Sequence, residues 1–516
     1  MKIVDVTADG SQKTTESCIP QSPRPASSLL ELTVLTLIVA LAAVLRLHWL
    51  DAKSFWFDEG VSVAIARLDW YNFARILWRR EANMSLYYFL LHYWLHFGSS
   101  EFFIRSLSVL FAIASIPLVY QLGRRLFDPR IGLMAAALLA VNAYHVQYSQ
   151  DARSYSLMVF LCSLSSLYFL KSLKEPSRAN RVVYIVISAL AVYAQFFSGL
   201  LLIAQWVSLR FLDHQQSGPH TRAAIRSDWR WVALLVSPIV AFVAATGAGP
   251  LRWVQRPGLK DLWTFAMHLT GNGGPWLLLA CVAACMAALL LVWRTGRIPR
   301  VPWEVWRYRF LACWLFSPIL LTLALSLVKP LFVARYFIFC LPPLALLVAC
   351  GISRLRSVWL MAPAFLLVLI LSLQGTSGYY KQDLDIQRDD WRDAASYLLK
   401  QAQPGDALLF HVPMGRMPYE FYQSTLAPAA ATPVVLYPRH GDRLTFLDFV
   451  EKPNDAELQR LIPEHPRAWL VLTYAETQAG QPDARSAELT QLLSNSYPAV
   501  EKHDFPGIEL LLYSKK

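Results

Sequence analysis

Two adjacent carboxylates, Asp58 and Glu59, stand in the string FWFDEGVSV just beyond the first long apolar run of the chain. Beside aromatic, apolar sequence such a pair is costly unless it is solvated or paired. A carboxylate placed there can act as a general base, taking a proton from an incoming hydroxyl. It can equally cap the next helix, whose N-terminal dipole favours acids. The residues alone leave both readings open.

Three further stretches supply cations. NAYHVQYSQDARSYSL places Asp151 and Arg153 between Tyr148 and Tyr155. It reads either as an interfacial aromatic belt or as a cation for a phosphate group, oriented by a carboxylate. VKPLFVARYFIFCLPP brings Lys329, Arg335 and Tyr336 to what reads as a short outer loop, where cations serve either an anionic phosphate or a snorkelling helix end. Arg105 in SSEFFIRSL follows Glu101 by one helical turn, the spacing of a local ion pair. Arg252 and Arg256 in PLRWVQRPG belong to the same set. His92, His96, His145 and His268 read as polar members of helix interfaces. His92 and His96 share a helix face but have no evident third ligand, so a divalent metal is left open and not indicated.

These residues need a scaffold that brings distant loops to one membrane face. The chain of 516 residues is 55% hydrophobic and only 16% charged, whereas soluble domains carry about a quarter charged residues. Apolar runs fall at roughly 29–50, 84–97, 104–122, 131–147, 155–170, 182–196, 199–212, 231–247, 274–293, 310–328, 332–351 and 357–374. They predict an α-helical polytopic membrane protein with about 11–12 transmembrane helices. The run 84–97 is ~21 Å long as a helix, short of the roughly 30 Å hydrocarbon core, so whether it crosses is open. Residues 1–28 read as a disordered cytoplasmic tail, and the first apolar run has no cleavage site that would make it a signal peptide. Residues 51–83, with Arg67, Arg75, Arg79 and Arg80, read as a first outer loop of short amphipathic helices on the membrane surface.

Basic residues fall on alternate connections: Arg124/Arg125/Arg130, Lys171/Lys174/Arg178/Arg181, Arg210/Arg222/Arg226/Arg230, Arg294/Arg297/Arg300/Arg307 and Arg354/Arg356. By the positive-inside rule these face the cytoplasm, which puts the Asp58 loop, the Arg153 loop and the C-terminal part outside. The net charge of +12 is thereby a topology signal. Without a basic stripe interleaved with exposed aromatics, it does not point to nucleic acid. Six of the seven cysteines lie in apolar runs and none after residue 378, so no disulfide framework is expected there.

Residues 378–516 read as a small extracytoplasmic α/β domain. A helix is expected over DDWRDAASYLLKQA, strands over ALLFHV, PVVLY, AWLVLTY and IELLLY, and helices near 454–461 and 487–494. No nucleotide-binding loop or nucleophile elbow is present in this sequence.

The order of the motifs carries more than any one of them: WFDE, then SLYYFLLHYWLHFGSSEFFIRSLS, GRRLFDPRIGLMAAALLAVNAYHVQYSQDARSYSL, KPLFVARYFIFCLPPLALL and DDWRDAASYL. Over roughly 30–400 this resembles family 39-type glycosyltransferases of the GT-C superfamily, among them protein O-mannosyltransferases and aminoarabinose transferases. Where many relatives carry a Pro-Pro-Leu-Tyr-type string, this chain has Asn83–Tyr87. The resemblance implies a GT-C-type module over 29–377. That module would transfer a sugar from a polyprenyl-phosphate donor to a glycan, lipid or protein acceptor at the outer face, with inversion. It implies Asp58 as general base with Glu59 as its partner, and Arg105, Arg153, Lys329 and Arg335 as holders of the donor phosphate. Asp151, Tyr155 and Tyr336 would support them. It implies membrane lipid as surroundings and the bacterial inner membrane as location, and it names no certain cofactor, with a divalent metal left open. The alternative is a transporter or flippase of a lipid-linked sugar, which would need the cations but not Asp58.

Overall fold

A computed structural model describes residues 25–213, 219–247, 254–294, 301–382, 388–426, 432–438, 455–475 and 483–515. Most of the expected tail over 1–28, and Arg252, lie outside the described residues. The helices run α1 (Pro25–Leu47), α2 (Phe57–Arg67), α3 (Trp70–Ile76), α4 (Ser85–Trp94), α5 (Glu101–Leu126), α6 (Pro129–Val141), α7 (Ala143–Ser149), α8 (Tyr155–Lys174), α9 (Arg178–Ala194) and α10 (Gly199–Leu209). Then come α11 (Pro219–Thr246), α12 (Leu259–Thr270), α13 (Pro275–Arg294), α14 (Trp303–Ser326), α15 (Leu341–Ser353) and α16 (Val358–Lys381).

Every apolar run of the sequence is helical. Among the described residues, 7 helices are long and apolar enough to cross a membrane, or up to 9 if each of two bent pairs is one span. The run 84–97 folds as α4, whose 10 residues keep it out of that set. The chain is an integral membrane protein. The ends of its bundle differ in charge. Arg105 lies near the start of α5, while Arg124 and Arg125 close its last turn. Arg125 pairs with Glu175 at 3.0 Å and Arg307 donates to the Leu126 carbonyl at 2.8 Å, so cations from several connections gather at that end.

One bent pair sets the opposite end. α6 and α7 meet at 60° around Asn142, whose side chain accepts from His145 N at 3.0 Å and caps α7. A break at membrane depth frees carbonyls that must find donors. Arg46 on α1 supplies the Leu139 and Ala140 carbonyls at 3.2 and 2.9 Å, and Thr376 supplies Val141 at 2.7 Å. The bend delivers the 150–154 loop to the Asp58 end.

The C-terminal part adds α17 (Trp391–Gln401), β1 (Ala407–Phe410), α18 (Arg416–Leu426), β2 (Val434–Tyr437), α19 (Asp455–Leu461), β3 (Arg467–Thr473), α20 (Ala484–Ser496), β4 (Ala499–Phe505) and β5 (Ile508–Ser514). The sheet order is β2-β1-β3-β5-β4, with β2, β1 and β3 parallel and β5 and β4 antiparallel. Strand alternation divides it into two faces. Leu408, Phe410, Trp469, Val471, Leu510 and Leu512 join, through α17 and α18, a core continuous with the helical bundle. Ala407, Leu409, Leu470, Leu472 and Leu511 pack instead with Leu489 and Leu493 of α20. The sheet is therefore mounted on the membrane module, and α16 reaches Lys381, past the expected start of the soluble part. The sequence reading lacked α18, whose Pro418 obscures its pattern, and β4, an edge strand with mostly exposed residues.

α2 differs from expectation in its surroundings. It is helical, but Glu59 through Ala66 are buried, and it packs between α4 and α18 rather than lying on a membrane surface. Gly60 permits this approach: a Cβ there would come within 2.6 Å of Pro418 Cβ on α18.

Candidate active site

Asp58 and Glu59 occupy the first turn of α2 and have opposite fates. Glu59 has no solvent exposure. It accepts from Arg105 Nε at 2.8 Å, Arg105 Nη2 at 2.7 Å and the Ala152 N–H at 2.8 Å. Arg105 also donates to the carbonyls of Leu50 at 2.9 Å, Lys53 at 2.8 Å and Ser54 at 3.0 Å. A guanidinium has five N–H donors, and all are engaged. Arg105, expected on the donor phosphate, and Glu59, expected as the partner of Asp58, instead engage each other: the two form a sealed strut that locks the 50–54 segment and the 152 backbone around α2. Glu101 turns mainly to Arg392 of α17, with Arg105 at the limit of pairing distance, 4.0 Å.

Asp58 keeps 24% of its side chain exposed. Its carboxylate lies 3.4 Å from Arg153 Nη2 and 3.8 Å from Arg335 Nη2. Arg153 Nη1 also reaches the Asp58 carbonyl at 3.4 Å, Ser62 Oγ at 3.2 Å and Tyr88 OH at 3.4 Å. Charge-assisted hydrogen bonds are tight near 2.7–2.9 Å, so Arg153 is held loosely by comparison with Arg105. Arg153 Nε, Ser154 Oγ, Tyr155 OH and the Trp56 indole N–H are buried and have no hydrogen-bond partner among the described residues. Arg335 sits 5.5 Å over the Trp56 ring. Segments around Asp58, Tyr88, Arg153 and Arg335 thus converge on a donor-rich corner that Asp58 faces.

The remaining expected residues separate. Tyr155 packs edge-on to Tyr148 at 4.8 Å, and Tyr336 stands beside Arg335 against Phe197, ring centroids 4.8 Å apart. Asp151 does not orient Arg153. It is buried and bound two-pronged by Arg388, both contacts at 2.8 Å. Lys329, also expected on the phosphate, is exposed just past α14 and enters none of the described contacts that define the Asp58 cluster. Arg256 is likewise exposed.

Several neighbours were not singled out as site residues in the sequence. Glu81 accepts from Tyr88 OH at 3.2 Å, and burial pushes its carboxyl above the usual range against the pull of Arg153. From the C-terminal part, Arg388 lies 5.3 Å over Trp56 and Asp389 accepts from Tyr474 OH at 3.2 Å. Burial raises the Asp389 carboxyl to about 7, against its hydrogen bond to Tyr474 and with the Asp58 charge adding to the rise. Tyr474 meets Phe57 edge-on at 5.9 Å.

An apolar groove lies between α9, α10, α11 and α14. It has a volume of about 580 Å³ and is lined by Phe197, Trp206, Trp229, Val236, Leu325 and Leu331, among others. Phe197, which touches Tyr336, joins it to the Asp58 cluster.

Residues 85–245 match the family described as dolichyl-phosphate-mannose-protein mannosyltransferase. No curated protein matches the chain in sequence at a significant level. Among solved structures, ArnT from Cupriavidus metallidurans in the apo state superposes with a TM-score of 0.57 at 11% identity, over 95% of this chain and 98% of that one. The same protein bound to undecaprenyl phosphate gives 0.56 at 12% identity, over 94% and 98%. The Archaeoglobus fulgidus oligosaccharyltransferase in complex with Zn and sulfate gives 0.50 at 12%, over 85% and 67%. The chain therefore shares the fold of ArnT over nearly its whole length, and part of it, residues 85–245, is similar to the protein-mannosyltransferase family.

Proposed function

We propose that the chain is a membrane glycosyltransferase that moves a sugar from a polyprenyl-phosphate donor to an acceptor hydroxyl, with inversion and with Asp58 as general base. The observation that carries this is the convergence of Arg153 and Arg335 on Asp58 at 3.4 and 3.8 Å. Two guanidinium groups beside unpartnered donors suit a phosphate, and the adjoining groove suits an isoprenoid tail. ArnT, whose fold this chain shares, has been solved with undecaprenyl phosphate bound.

The chemistry follows from the charges. An arriving phosphate competes with Asp58 for the two arginines and leaves the carboxylate able to accept a proton. The acceptor oxygen attacks the anomeric carbon, the bond from that carbon to the phosphate oxygen breaks, and the hydroxyl proton passes to Asp58. Arg153 and Arg335 stabilise the negative charge that grows on the departing polyprenyl phosphate. The positive-inside pattern of the loops supports a site on the outer face with the N-terminus in the cytoplasm, in a membrane we read as a bacterial inner membrane.

The test uses the full chain in proteoliposomes with undecaprenyl-phosphate [14C]mannose, chosen because the matched family is described as mannosyltransferases. Label should leave the carrier and appear on an acceptor in added cell-envelope extract. Label that crosses the bilayer while staying on the carrier would instead establish a flippase.

A further inference from the structure

The C-terminal sheet brings an aromatic face to the site that the transfer reading leaves without a task. Tyr474 follows the last residue of β3, and its φ is +54°. A bulky residue adopts that left-handed conformation only where its surroundings over-determine it. Here two contacts do so. The hydroxyl donates to Asp389 Oδ2 at 3.2 Å, and the ring meets Phe57 edge-on at an interplanar angle of 79°. Asp389 is itself only 2% exposed. It backs onto Gly507 (φ +70°), where a Cβ would come within 2.3 Å of Asp389 Oδ1.

A tyrosine clamped at its hydroxyl and at one edge would ordinarily be covered, yet Tyr474 is 49% exposed. Its hydroxyl lies within electrostatic reach of both the Asp58 carboxylate and the Arg335 guanidinium. The neighbour it touches, Phe57, immediately precedes Asp58. The ring is therefore held against the residue that immediately precedes the reacting carboxylate, on the side of the C-terminal sheet.

We propose that Tyr474 is a stacking platform for a sugar ring at the Asp58 site, with Asp389 as the positioning residue that holds it. The C–H face of a sugar ring is weakly positive and apolar, and it complements the negative face of an aromatic ring. The hydroxyls at the rim of the stacked ring then point sideways, toward Asp58. The proposal rests on the transfer reading, and the ring it takes belongs either to the acceptor or to the donor.

The experiment uses the full chain in nanodiscs, with two kinds of probe. Methyl glycosides of mannose, galactose, N-acetylglucosamine and arabinose, observed by saturation-transfer NMR, stand in for an acceptor. Undecaprenyl phosphate and undecaprenyl-phosphate mannose report on the donor. Tyr474→Ala should weaken binding of the ring about three- to tenfold, the scale of one aromatic stacking contact. Tyr474→Trp should restore it, whereas Tyr474→Phe and Asp389→Ala, which keep the face but release the clamp, should fall between. Undecaprenyl phosphate itself should bind all four variants as it binds the wild type, which also shows that they are folded. If only the glycoside signals fall, the ring is the acceptor's; if only the affinity added by the donor mannose falls, it is the donor's. The proposal is overturned if Tyr474→Ala leaves both unchanged, or if the wild type shows neither. Failure of the wild type to bind undecaprenyl phosphate would strike the donor-phosphate reading instead.

Discussion

Arg105 and Glu59 form a two-pronged ion pair sealed from solvent, 2.8 and 2.7 Å long, one residue along the chain from the carboxylate proposed to react. A buried pair of this kind is a positioning device. The other N–H groups of Arg105 tie down the 50–54 backbone, and Glu59 holds the Ala152 N–H. Arg105→Ala would leave Glu59 buried without its partner, a loss of about 3–5 kcal/mol. Thermal unfolding in detergent should show a large drop in Tm. Arg105→Lys should rescue little, because an ammonium cannot reproduce the fork.

Arg335→Ala and Arg153→Ala should behave differently. Both arginines face Asp58, and Asp58 is partly open to solvent. Each should weaken undecaprenyl phosphate binding by about 10- to 150-fold, the value of a hydrogen bond to a charged group. Neither should unfold the protein as Arg105→Ala does. Wild-type affinity in both single variants would remove the phosphate from this corner.

A pH dependence should come from Asp389, whose carboxyl burial raises to about 7. The ordinary value is 3.8, so between these two values the folded chain binds a proton that the unfolded chain has lost. Stability from this group is therefore full in acid and declines as pH rises through about 7, by linkage. Unfolding temperature followed over that window should show the decline, and Asp389→Asn should flatten it. An unchanged profile in the variant would assign the dependence elsewhere.

Gly60→Ala tests the docking of α2 on α18. The added methyl would meet Pro418 at 2.6 Å, mostly ring and backbone that cannot swing away. Overpacking of this kind costs about 1–3 kcal/mol. Transfer should fall because α2 carries Asp58, and limited proteolysis should cut between α16 and α17 more readily than in the wild type.

Much of the scaffold was legible because an apolar run of membrane length has few other outcomes. Asp58, Arg153 and Arg335 stood out as charges where charge is expensive, and the fold brings those three together. Arg105 stood out for the same reason but answers a different need, since nothing in SSEFFIRSL shows that its partner is Glu59, distant along the chain. Asp151 misled in the same way: Arg153 is its near neighbour in sequence, whereas its counter-ion Arg388 comes from beyond α16. Lys329 resembled Arg335 on the page, but the turn after α14 leaves it on the exterior. Asp389 and Tyr474 were visible only as the ends of the DDWRDAASYL and AWLVLTY strings, because their place at the site depends on how the C-terminal part packs against α2.

The central claim is tested most directly with Asp58→Asn. The substitution removes the carboxylate that competes with phosphate for Arg153 and Arg335, so undecaprenyl phosphate should bind at least as tightly as in the wild type. Transfer of [14C]mannose from undecaprenyl-phosphate mannose should fall by about 10²- to 10⁴-fold, the contribution of a positioned base. A variant that binds the carrier and still transfers the label at the wild-type rate would contradict the assignment of Asp58 as the base.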